Sequence, residues 1–118
     1  MPDSAALDLA RLEEAFEDDV AGIAELLEMA LDTGRKHCRK LAEGLAEGNV
    51  ETIRRAAHSI KGSAATIGAN EVTALASQLE QQARAGDVRG AAEAIANIDA
   101  AYARVEEEVR AYRTRIGG

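Results

Sequence analysis

The residues of this chain with chemical potential are few: two histidines, His37 and His58, and one cysteine, Cys38. His58 carries the strongest signal. Around it Val50, Ile53, Ala57, Ile60, Ala64 and Ile67 recur at three- and four-residue steps, which marks a helix with one apolar face. At about 100° per residue, that face centres roughly 140° away from His58, so the imidazole is expected to point into solvent. The same arithmetic brings Arg54, Lys61, Gly62 and Ala65 to its side, with Arg55 and Glu51 at the margin. Three cations therefore surround one histidine in a chain with 14 Lys and Arg against 21 Asp and Glu, a formal charge of −7. Such a patch suits a small, multiply charged anion held at the ring, with Lys61 as a point charge on its oxygens. Gly62 costs a helix interior about 1 kcal/mol relative to alanine. That cost has a reason if the glycine, and Ala65 one turn on, clear space beside the ring for a partner's backbone.

Other chemistries fail on spacing. A helical metal site needs a second ligand three or four residues from His58, and Arg54, Arg55, Lys61 and Gly62 stand there, so no metal is expected. Cys38 adjoins His37 but falls on the apolar stripe of its own helix, with Arg35, Lys36, Arg39 and Lys40 about it. It reads as a small buried hydrophobe, and His37 as a helix-flank residue. No Gly-x-Ser-x-Gly turn, phosphate-cradling loop or paired carboxylate near His58 is found in the sequence. Ser59 and Ser63 lie about 100° or more around the helix from the ring, too far for a nucleophile and base. A functionless exposed histidine is the plain alternative. The chemistry that survives is the imidazole as a nucleophile, accepting a phosphoryl group whose charge the cations offset. With no nucleotide site and no cofactor expected, the group must arrive from one protein and leave to another.

The elements that place this histidine are all helical. Hydrophobic residues make up 47% and charged residues 30%, with one proline, Pro2, and one Phe, two Tyr and no Trp; this is a helix-former's composition with enough apolar material for one core. The 118 residues predict a single domain, 1–118. Asp8 caps a short helix at about 9–16 with Leu7, Leu12 and Phe16 on its apolar side. Four longer helices follow at about 19–47, 50–68, 71–85 and 88–115, punctuated by Gly48, Gly68 and Gly86 and capped by Asn49, Asn70 and Asp87. The first long helix has the stripe Ile23, Leu27, Ala30, Gly34, Cys38, Leu41 and Leu45, with Gly34 a candidate kink. The last has Val88, Ala91, Ile95, Ile98, Tyr102, Val105, Val109, Tyr112 and Ile116. Short connections force neighbours antiparallel, so the expected fold is an up-down-up-down four-helix bundle with a short N-terminal lid helix.

The acidic balance makes nucleic acid and anionic membrane surfaces poor partners. No apolar stretch reaches the roughly 18 residues of a membrane span, and the amino end lacks the pattern of a signal peptide. One cysteine makes no internal disulfide. The expectation is a cytoplasmic protein.

The run Ala57-His58-Ser59-Ile60-Lys61-Gly62-Ser63-Ala64-Ala65-Thr66-Ile67-Gly68-Ala69 closely resembles the signature of histidine-containing phosphotransfer (HPt) domains of two-component phosphorelays, Ala-His-x-Leu-Lys-Gly-Ser-x-x-x-Leu-Gly-Ala. Ile60 and Ile67 replace leucines. The likeness continues through Leu75, Leu79 and Glu80, and Leu7-Asp8-Leu9 with Phe16 and Asp18-Asp19 is similar to the family's amino end, so it spans essentially the whole chain. The resemblance implies that His58 is the phosphoacceptor, that Lys61 assists its phosphoryl oxygens and that Gly62 leaves room for a docking receiver. Arg54, Lys61 and Arg55 would meet the receiver's acidic pocket, with Ala65 among the small residues at the contact. The implied partners are the receiver domain of a response regulator and a histidine kinase or hybrid kinase. The chain itself would be a monomeric phosphocarrier, not an enzyme, and any Mg²⁺ would belong to the receiver. The rival from another class is a helical adaptor that binds a receiver or kinase without accepting phosphate.

Overall fold

In the computed structural model, which describes residues 6–117, five helices follow one another: α1 (Leu9–Ala15), α2 (Val20–Glu47), α3 (Val50–Thr66), α4 (Asn70–Arg84) and α5 (Ala91–Gly117). Each of the four interhelical turns contains a glycine of positive φ or a side-chain cap. Asp8, Asp19 and Asn49 accept from the backbone amides of Arg11, Gly22 and Thr52, each at 3.1 Å, and so satisfy N-terminal donors of α1, α2 and α3. Gly48 and Gly68 reverse the chain in the left-handed region, at φ 65° and 70°.

Each of α2 to α5 buries one stripe. α3 packs against α2 and α4, and α5 packs against α2 and α4. This places α3 and α5 diagonally, in an antiparallel up-down-up-down bundle. Ile23, Leu27, Leu41, Ile53, Ile60, Leu79, Ile98 and Tyr112 are among the fully buried side chains of its core. α2 and α5 run 28 and 27 residues, but α3 and α4 only 17 and 15. At about 1.5 Å per residue the long pair outruns the short pair by roughly three turns. α1 covers the overhang: Leu7 and Leu12 are buried, the Asp8 amide donates to the Gly68 carbonyl at 3.1 Å, and Glu108 of α5 accepts from the amides of Ala6 and Leu7.

Several local expectations are corrected. Phe16 does not join the apolar side of α1; it is the C-cap residue and 37% exposed, because the Glu17-Asp18 pair in the left-handed region turns the chain there. Leu45, in the last turn of α2, is likewise exposed. Gly34 kinks nothing. α2 runs through it, and a Cβ at that position would overlap the Tyr102 phenol from α5, so the missing side chain is a packing requirement between α2 and α5. Cys38 is half-buried, with Asp99 of α5 beside it; burial first and Asp99 second push its thiol up to about 12. The N-cap of α4 is the buried Ala69, not Asn70, and it offers no side-chain cap. Asp87 turns its carboxylate onto the amide and guanidinium of Arg89, so α5 begins after Gly90 instead of at Val88.

Candidate functional site

Nine residues into α3, His58 stands on the face turned away from Ile53, Ile60 and Ala64, and its side chain is 60% exposed. Beneath the ring lies Glu80 of α4, whose side chain is 3% exposed and which is the only buried charged residue among those described. Its Oε2 lies 2.8 Å from His58 Nδ1, its Oε1 lies 2.7 Å from Lys61 Nζ, and Arg84 Nη2 donates to the same Oε2 at 3.1 Å. A buried carboxylate is costly unless its oxygens are paired, and here each one is. The Lys61 hydrogen bond, followed by that of His58, holds the Glu80 carboxyl below the usual carboxylate range against the desolvation that raises it.

This pairing assigns the ring's tautomer. An ionised carboxylate only accepts, so Nδ1 carries the hydrogen and donates to Glu80. In the neutral imidazole Nε2 then keeps its lone pair, on the far side of the ring from the buried oxygen. Lys61 uses one of its three N–H bonds on Glu80 and is 36% exposed, which leaves donors for an incoming anion at the same edge.

The cations expected around His58 are each engaged in an ion pair. Arg54 donates to both oxygens of Glu51, at 2.9 and 2.6 Å, and Arg55 donates to Oε2 at 3.0 Å. These contacts, the hydrogen bond from Arg54 first, bring the Glu51 carboxyl down to about 2. The pairs are local helix contacts at three- and four-residue spacing, and being exposed they add little to stability. Gly62 is exposed one turn from His58, and a Cβ there would meet nothing within 4 Å. No packing inside this chain therefore calls for a glycine at that position. Ala65 is also exposed, and its carbonyl accepts from Arg11 Nη2 of α1 at 3.2 Å, tying the N-terminal helix to the end of α3.

Sequence spacing did not place Glu80 or Arg84 beside the histidine. The signal available was a glutamate on the inward side of α4, next to Leu79 and one turn from Ala76 and Ala83. Such a residue demands a cation from a neighbouring helix, and Lys61 supplies one.

The model of the Hpt domain family matches residues 25–108. No curated protein matches the sequence. Among solved structures, the chain is similar to the crystal structure of histidine-containing phosphotransfer protein B (HptB) from Pseudomonas aeruginosa PAO1. The two are 29% identical with a TM-score of 0.85, and the similarity covers 95% of this chain and 97% of that one. With the family model extending over well more than half the residues and the whole bundle superposing, the chain belongs to the histidine-containing phosphotransfer domain family of two-component phosphorelays.

Proposed function

We propose that His58 is the phosphorylated residue, that Nε2 is the atom that takes the group, that the donor is an aspartyl phosphate of a receiver domain or a histidine kinase, and that the acceptor is the aspartate of a receiver domain. The observation that supports this reading is the outward imidazole whose Nδ1 is held by the buried Glu80. In loading from a receiver, the Nε2 lone pair attacks phosphorus, the N–P bond forms and the bond to the receiver's carboxylate oxygen breaks, so the aspartate leaves with the electron pair. The ring becomes cationic while Nδ1 keeps its hydrogen. Glu80, already ionised and in contact, stabilises that charge without reorganising. Lys61 meets the phosphoryl oxygens, and Gly62 lets the receiver's backbone approach. Arg54 and Arg55 have a lesser part, as the paired flank of the surface. Unloading reverses each step, so one site serves transfer in both directions without a nucleotide of its own.

The test is incubation with a phosphorylated receiver or an autophosphorylated kinase carrying labelled phosphate. Label on the chain that is lost in acid, kept in base and absent from His58→Gln is expected. A wild-type chain that binds these proteins and stays unlabelled would favour the adaptor reading, and a labelled His58→Gln would move the acceptor elsewhere.

A further inference from the structure

We propose that Arg84 is a positioning residue for phosphotransfer, acting on the imidazole through Glu80 and not through the partner protein. The inference rests on His58 being the acceptor. Arg84 lies one turn after Glu80 on α4, with its side chain 60% exposed. Its Nη2 donates to Glu80 Oε2 at 3.1 Å, and that is the oxygen 2.8 Å from His58 Nδ1. Lys61 Nζ holds the other oxygen at 2.7 Å.

The division of donors between the two oxygens gives Arg84 its effect. A carboxylate turns about a broad, roughly two-fold terminal torsion. With one donor on each oxygen the group can rotate while keeping both contacts bent. A second donor on Oε2 occupies one lone-pair direction there and leaves the other aimed at Nδ1. Three donors from two helices, Lys61 and His58 on α3 and Arg84 on α4, then fix the carboxylate in one orientation, and through it the ring and the direction of Nε2. The remaining charges near this face, Arg54 and Arg55, are turned onto Glu51. Arg84 is therefore the one cation, apart from Lys61, seen paired with Glu80 in the structure. Small losses of alignment at a reacting atom are expensive, about a hundredfold in rate for a displacement of 1 Å.

The experiment measures single-turnover transfer from a phosphorylated receiver as a function of receiver concentration, for the wild type, Arg84→Ala, Arg84→Lys, Glu80→Gln and the Glu80→Gln/Arg84→Ala double variant. Thermal unfolding of each variant verifies the fold. Arg84→Ala is expected to slow the saturated first-order step about tenfold while the half-saturating receiver concentration stays that of the wild type. Arg84→Lys should recover most of the rate. In the Glu80→Gln background the arginine substitution should change nothing further, because its route to the ring is already cut. A raised half-saturating concentration with an unchanged maximal rate would overturn the proposal, as would rate losses that multiply in the double variant or an Arg84→Ala chain with wild-type transfer. The His58→Gln control separates this result from the assignment of the acceptor, since it reads labelling alone.

Discussion

Replacing Gly62 by alanine should move stability and function in opposite directions. Gly62 lies in the interior of α3, is exposed, and has open space where a Cβ would stand. Alanine is favoured over glycine there by about 1 kcal/mol, with no clash to offset the gain. An unfolding entropy of about 2.1 cal/mol/K per residue over a chain of this length turns that gain into a rise in Tm of about 4 °C. A receiver that seats its backbone against this face would meet the new methyl group, and Gly62→Gln would intrude further. Overpacking of a fitted contact costs about 1–3 kcal/mol, which is roughly 5- to 150-fold in transfer at subsaturating receiver. Circular-dichroism melting gives the first quantity and labelled-phosphate transfer the second. A lower Tm for Gly62→Ala would refute the reading of the helix. Wild-type transfer by Gly62→Gln would show that docking does not need the glycine.

The acid limb of stability should report Glu80. Its folded-state pKa is depressed, so its contribution is present above the ordinary value of 4.5 and is lost as pH falls through the folded value. In urea titrations the wild type should therefore exceed Glu80→Gln in stability at pH 7, and the gap should close below about pH 4.5; a gap independent of pH would refute this. Gly34→Ala should destabilise by about 1–3 kcal/mol through overlap with Tyr102. Because the overlap includes the ring carbons Cζ and Cε1 as well as the hydroxyl, adding Tyr102→Phe should not restore the loss in chemical denaturation. Cys38, with its thiol pushed up to about 12, should react at pH 8 at less than about a thousandth of the rate of an ordinary exposed thiol. It should become reactive on unfolding, and rapid native-state labelling would contradict the burial.

What the sequence made legible was periodic. The spacing of Ile53, Ala57, Ile60 and Ala64 sends these residues inward, and the same period sends His58 outward; both follow from 3.6 residues per turn without any neighbour. The partner of the ring was not legible in that way. Whether Glu80 of α4 or some other residue lies under His58 depends on the register between two helices, which is set by side-chain interlock and by the turn at Gly68, not by either helix alone. Gly34 shows the same blind spot. From α2 it reads as a weak point, and only Tyr102 on α5 explains it. The pairing of Arg54 and Arg55 was not legible for a different reason. Glu51 was visible at three and four residues' distance, but the competition between a local carboxylate and an incoming anion for the same guanidinium groups is decided by rotamers. Glu51 holds both.

The unequal helices have a mechanical consequence. The seat of His58 is built where four helices run side by side, whereas the overhang of α2 and α5 is closed by Leu7, Leu12 and the ties from Glu108. Melting of that overhang can expose Ile23, Leu27 and Tyr112 while the ring keeps its carboxylate. The molecule thus divides into an anchoring end and a working end, and amide hydrogens at the first should exchange at a lower free-energy tier than those around Ile60 and Leu79.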